Sequence, residues 1–91
     1  MTVLSWDAPK RLANLDKHGF DFEDLFAFDW STAVITAARP DRLGRRRRKA
    51  VGYFHGEVVV IIFAPLGSEA ISIISFRHAK LKERLLIDGK R

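Results

Sequence analysis

A chain of 91 residues has room for one domain and one core, which excludes a multidomain architecture. Its 47% hydrophobic and 11% aromatic content excludes a disordered chain, and the absence of cysteine excludes disulfides, a thiol nucleophile and Cys-ligated zinc. The formal net charge of +5 is uneven: residues 1–38 hold three basic and six acidic side chains, residues 39–91 thirteen and five.

In chain order, Val3–Trp6 reads as a short strand. Asp7 followed by Ala8-Pro9 marks a helix start, because aspartate accepts from the free N–H groups of a first turn and proline is tolerated there; Gly19 stops the helix. On a 3.6-residue wheel Ala8, Leu12 and Leu15 share one face, while Lys10, Asn14, Lys17 and His18 form an outward polar stripe. A second short helix is expected over Phe22–Phe28, with Phe22, Leu25 and Phe26 at helical spacing and Asp21, Glu23 and Asp24 near its positive end.

Thr32–Ala38 is β-branched and reads as a strand ended by Arg39-Pro40-Asp41. The run Arg45–Arg48 is expected as a loop flowing into a strand over Ala50–Phe54. His55-Gly56 then makes a tight connection to Glu57–Ala64, a strand apolar on both faces and therefore expected at the centre of the sheet. After a turn at Pro65–Glu69, Ala70–Arg77 supplies another strand. His78–Ile87 closes the fold as a helix with Leu81 and Leu85 inward and Lys80, Glu83 and Arg84 outward, and Asp88–Arg91 reads as frayed. The order βααββββα predicts an α+β fold: a single antiparallel sheet with two N-terminal helices and one C-terminal helix packed on it.

Several chemistries have no support. His18, His55 and His78 lie far apart with no H-x-x-x-H spacing, so no metal site is expected; no Gly-rich loop cradles a nucleotide, and no serine sits in G-x-S-x-G, so no cofactor is expected. The longest apolar run, Val58–Leu66, is interrupted by Pro65 and far short of the roughly 20 residues that span a bilayer, and MTVLSWDAPK lacks a basic segment followed by an apolar one. A cytoplasmic protein without membrane contact is the expectation.

What remains is a constellation of cations. Lys10, Lys17 and His18 come from the first helix, Arg42, Arg45, Arg46, Arg47 and Arg48 from the Arg39–Lys49 segment, and Arg77, Lys80 and Arg84 from the C-terminal region, spaced to line one helix face with Glu83 beside them if that helix begins by Arg77. Cutting RNA without a metal requires a base for the 2′-OH proton, an acid for the leaving 5′-oxygen and fixed cations around the phosphate, and these residue types can supply all three. Trp6, Trp30 and His55 read instead as packing and turn residues.

The segment W-D-x-x-K-x-x-x-N-x-x-K-H-G-x-x-F-E, formed by Trp6-Asp7, Lys10, Asn14, Lys17-His18-Gly19 and Phe22-Glu23, resembles the opening of BrnT toxins. I-I-S-x-R-x-A-x-x-x-E-R, formed by Ile73-Ile74-Ser75, Arg77, Ala79 and Glu83-Arg84, is similar to that family's C-terminal signature. The resemblance covers nearly the whole chain as a single domain, residues 1–91. It implies a RelE-like fold and a metal-independent ribonuclease that arrests translation. It also implies a BrnA-like antitoxin that neutralises the toxin and, together with it, contacts operator DNA.

On this reading His18, Arg77, Glu83 and Arg84 are the catalytic candidates and Lys10, Lys17, Lys80 and the arginines at 42 and 45–48 hold RNA. Many family members carry an acid before an arginine ahead of the central hairpin, where this chain has Arg42-Leu43-Gly44; the general base is then Asp41, His18 or Glu83. The alternative is a module that binds RNA or an antitoxin through the same surface without cleaving. A compact cluster of Arg77, Glu83 and His18 would favour the enzyme.

Overall fold

A computed structural model describes residues 2–88. Strand β1 (Val3–Ser5) leads into helix α1 (Ala8–His18), a 3₁₀ helix (Phe22–Ala27), strands β2 (Val34–Ala38), β3 (Arg47–Phe54), β4 (Glu57–Leu66) and β5 (Ala70–His78), and helix α2 (Leu81–Asp88). The expected fraying at Asp88 is not seen, since Asp88 ends the helix; the rest of that segment lies outside the described residues.

The helix ends follow their sequence signals. Asp7 accepts from the Lys10 N–H at 3.3 Å, Pro9 sits in the first turn, and Gly19 adopts a left-handed φ of 76° that lets its N–H reach the Leu15 carbonyl. Asp21 caps the Glu23 N–H and also receives a forked pair of bonds from Arg11 at 2.7 and 2.9 Å, tying α1 to the segment that follows.

That segment is a 3₁₀ helix, not the expected second α-helix. Phe22, Leu25 and Phe28 are all buried at spacings of three, the 3₁₀ period, whereas Phe26, one residue off that line, is 85% exposed. Phe28 then lies over Gly52 of β3, where an added Cβ would come within 2.7 Å of its ring, so glycine is required for this approach.

The sheet order is β1-β5-β4-β3-β2, with β4 in the centre as its doubly apolar pattern predicts. The sheet is mixed: β2, β3, β4 and β5 pair antiparallel, but β1 runs parallel to β5 with Val3 opposite Ala70. The expectation of a purely antiparallel sheet fails at β1 because this strand reaches β5 from the far end of the chain, and no hairpin turn dictates its direction. β3 begins at Arg47, three residues earlier than expected, so half of the arginine run is strand.

The core lies on one face, where Phe22, Leu25, Phe28, Phe54, Ile61, Phe63, Ile73 and Phe76 form one cluster and Trp6 and Trp30 pack at its margin. Ile73 and Phe76, three apart on one strand, both reach this core because β5 carries a bulge: Ile62 faces Ser75 and Phe63 faces Ile73, leaving Ile74 as the extra residue. Ile74 and Ser75 therefore both leave the core. The bulge also brings Arg77 onto the second face, beside Ser75.

Both helices pack opposite to their apolar stripes. In α1 the buried residue is Asn14, while Leu12 and Leu15 are exposed. The Asn14 amide donates to the Phe76 and Phe20 carbonyls and accepts from the Phe76 N–H, so a side chain stands in for the missing neighbour strand beyond the end of β1. In α2 the buried residue is Glu83, and Leu81 and Leu85, expected inward, face solvent. Specific polar bonds orient these two helices, and an apolar wheel cannot report them.

Candidate active site and nucleic-acid interface

On the second face β3 alternates Arg47, Lys49, Val51 and Tyr53, and β5 adds Ser75 and Arg77. α2 covers one end of this face, where Val51 and Val60 are buried. The other end is an open cleft of about 270 Å³ lined by Lys10, Lys17 and His18 of α1, Arg47 of β3, and Ile74 and Ser75 at the bulge. The polar stripe of α1 thus converges with the strands, with Asn14 buried, His18 half-buried, and Lys10 and Lys17 exposed at the rim.

Beside the cleft, Glu83 is the hub of an ion cluster. Arg77 donates through both guanidinium nitrogens to its two oxygens at 2.7 and 2.8 Å, Lys49 donates at 3.1 Å and the Lys80 backbone N–H at 2.9 Å. The last bond is half of a capping box: Lys80 precedes the first helical residue and Glu83 reaches back to it. The helix begins at Leu81, so Arg77 and Lys80 do not share a helix face with Arg84, contrary to the spacing argument. Bonding to Arg77 above all, then to Lys80 and Lys49, holds the Glu83 carboxyl at about 2 against burial, which works the other way. Arg77 is raised correspondingly by Glu83 and also donates to the His78 carbonyl.

His18 is shifted in the opposite sense from an ordinary imidazolium. Partial burial, then the charges of Lys17 and Arg77, lower its pKa from the ordinary histidine value, which disfavours the charged ring. Arg77 thus bears on His18 through its charge, while its own bonds go to Glu83 and the His78 carbonyl. Of the three candidate bases, Glu83 has both oxygens occupied by cations. Asp41 is committed to its own loop, accepting from the Leu43 and Arg45 N–H groups and from Arg45 Nε at 2.6 Å, with its pKa lowered first by the Arg45 N–H.

The remaining candidates separate. Arg45, Arg46 and Arg47 line a larger neighbouring cavity with Lys10, and Arg42 faces a third with Arg39 and Leu43. Arg48 alternates to the other side of β3 and lines neither. Arg84 opens into a separate cavity with Tyr53, His78 and Asp88, away from His18, and Lys80 contributes its backbone N–H to Glu83. Sequence reasoning missed Lys49 and Asn14 as site-building residues. Lys49 is legible as the strand-alternation partner of Arg47; Asn14 carries no pattern that foretells its bonds. Among the described residues no group of three His, Asp or Glu side chains converges as metal ligands.

His18 among Lys10, Lys17 and Arg47 on an open face gives this small α+β domain a cationic cleft of the kind that suits a phosphate-bearing ligand. Residues 6–83 match the family described as the ribonuclease toxin BrnT of type II toxin-antitoxin systems. The chain is also similar to the crystal structure of the Brucella abortus ribonuclease toxin BrnT, with 41% identity over 88% of this chain and 99% of that one and a TM-score of 0.73. No curated protein matches the chain. The chain belongs to the BrnT family of ribonuclease toxins, and such a toxin has an RNA target and an antitoxin partner. No helix among the described residues is long and apolar enough to cross a membrane.

Proposed function

We propose that this chain acts in the cytoplasm as a single-domain, metal-independent endoribonuclease that inhibits translation and is neutralised by a BrnA-like antitoxin, touching operator DNA only within that complex. The observation that carries the reading is the cleft that brings His18 together with Lys10, Lys17 and Arg47, with the His18 pKa lowered by partial burial and then by the charges of Lys17 and Arg77.

In the reaction, the His18 imidazole accepts the 2′-OH proton as the 2′-oxygen attacks the adjacent phosphorus. The bond from phosphorus to the 5′-oxygen breaks, leaving a 2′,3′-cyclic phosphate and a 5′-OH; the ammonium groups of Lys10 and Lys17 are the nearby donors for the departing oxygen. Arg77 and Arg47 offset the charge that builds on the phosphorus oxygens. Glu83 acts through Arg77 as a positioning residue: its two oxygens fix the guanidinium plane, and its pKa of about 2 leaves it unable to serve as a base at neutral pH. The cationic make-up of the cleft supports chemistry without a metal, because its lining includes no carboxylate and Glu83 already carries Arg77 and Lys49. His18 among Lys10, Lys17 and Arg47 supports an enzyme over an inactive binding module, because it adds a proton acceptor to the cations of the cleft.

The test is cleavage of a defined RNA by purified protein in EDTA, beside an Arg77→Ala variant whose folding is checked by circular dichroism. Cleavage by the wild type with loss of about 10²–10³-fold in the variant supports the reading. Undiminished cleavage by the variant moves the site elsewhere, and salt-sensitive binding with no cleavage by either protein favours the binding module.

A further inference from the structure

We infer that the cavity beside the His18 cleft is a separate subsite that holds the base of a nucleotide flanking the cleaved phosphate; this rests on the chain being an RNA-acting protein but not on His18 being its base. The cavity encloses about 520 Å³, within the range of small-molecule sites of roughly 300–1,000 Å³. It shares Lys10, Arg47 and Ile74 with the His18 cleft, so the two form one continuous groove.

The two halves differ in chemistry. Around His18 the groove is cationic and polar, as a phosphate requires. In the neighbouring half, Pro65 and Leu66 at the end of β4 and Ile74 at the bulge give an apolar lining, and Arg45 and Arg46 stand with it. An apolar lining with guanidinium planes beside it is the composition that takes an unstacked base, the guanidinium lying on a ring face and the cationic rim holding the linking phosphate. A stretch of polyanion that needed only charge neutralisation would gain nothing from Leu66 or Ile74.

Two features of the backbone pre-form this half. The bulge that turns Ile74 out of the core provides part of the lining, and without it the Ile73–Phe76 spacing would direct the strand's side chains differently. Asp41 fixes the arginine loop, accepting from two backbone N–H groups and from Arg45 Nε, while the Asp41 N–H bonds the Arg45 carbonyl at 3.1 Å. The one carboxylate lining the cavity is thereby spent on holding Arg45 and does not repel the ligand's phosphates. Ser72, between the apolar residues, has a hydroxyl that can both donate to and accept from a base edge.

The experiment measures binding of 2′-O-methyl oligoribonucleotides, which cannot be cleaved by 2′-OH attack, by fluorescence anisotropy. A dinucleotide and a hexanucleotide of the same sequence family are compared on wild type and on Ser72→Leu, which fills the subsite without changing its charge. The wild type is expected to bind the hexanucleotide about tenfold more tightly than charge count alone predicts, and the variant to lose that advantage. In a second arm, hexanucleotides carrying one 4-thiouridine are photo-crosslinked to wild-type protein, which needs no variant to fold; adducts on residues 64–66 or 72–74 are expected.

Adducts confined to α1 and Arg77, or an equal length advantage in wild type and folded Ser72→Leu, overturn the subsite. Its failure is distinguishable from failure of the nuclease reading: RNA cleaved in EDTA with no length advantage removes the subsite alone, and the length advantage with crosslinks but no cleavage removes the nuclease alone.

Discussion

The two faces of the sheet are built on opposite principles. On the first, Phe22, Leu25, Phe28, Phe54, Phe63 and Phe76 bury apolar area, and ring contacts such as the stacked Phe20–Phe76 pair at 4.6 Å and the edge-on Phe54–Phe76 pair at 5.0 Å add specific geometry. On the second, cations from three segments are gathered around one carboxylate and one imidazole. The first face gives the stability that lets the second hold like charges close together, so substitutions on each face should register in different measurements.

The largest expected effect lies on the second face. His18→Gln keeps a polar side chain but removes the proton acceptor, and RNA cleavage should fall about 10²–10⁴-fold while the urea midpoint stays nearly unchanged. In the wild type the rising limb of cleavage against pH should have its midpoint below 6.5, because the lowered pKa leaves the imidazole neutral from a more acidic pH upward.

Next in size is the converse experiment. Phe76→Ala removes a fully buried ring and should cost about 3–5 kcal/mol in chemical denaturation, and cleavage per folded molecule should change far less than in the His18 variant.

Glu83 tests the boundary between the faces, since it is buried yet belongs to the cationic side. Glu83→Gln should cost about 2–3 kcal/mol, because Arg77 and Lys49 lose a shared counter-charge. The sign with pH follows from a folded value of about 2 against an ordinary 4.5: the wild-type contribution is fully present above 4.5 and lost as pH falls towards 2. Stability curves of wild type and variant should therefore converge over that acid window; parallel curves would show that Glu83 does not titrate in this way.

The smallest effect concerns the arginine loop. Arg45→Ala should leave stability within about 0.5 kcal/mol and lower the slope of log affinity for RNA against log salt by about one, the share of a single phosphate contact.

The sequence makes the first face more legible than the second, for a physical reason. Apolar burial is periodic, so the central position of β4 and the tight turn at His55-Gly56, where both residues take positive φ, follow from pattern alone. Features set by one specific bond are not periodic. Asn14 in place of a strand neighbour, Glu83 turned inward, and the bulge at Ile74 each overrule the wheel or the alternation locally, and those departures shape the candidate site. His18, Lys10 and Lys17 are legible as residues because motif and stripe coincide there, and Arg77 through the motif, since its helix-face spacing does not hold. Lys49 was hidden in a run of basic residues whose alternation appears only once β3 is known to begin at Arg47. Arg84 follows the motif but opens into a different cavity.

The tether of α2 has a dynamic consequence. The helix presents Leu81, Leu85 and Leu86 to solvent and is fastened chiefly by the Glu83 carboxylate and by Asp88, which accepts from the Tyr53 hydroxyl at 3.0 Å. Lifting the helix uncovers Val51 and Val60 at one end of the second face but leaves the aromatic core of the first face closed, so its opening is separable from global unfolding. In native-state hydrogen exchange the amides of α2 should form the least protected cooperative unit of the fold, opening more readily with added salt while β3, β4 and β5 keep their protection. Each such opening would break the two bonds by which Glu83 holds the guanidinium of Arg77.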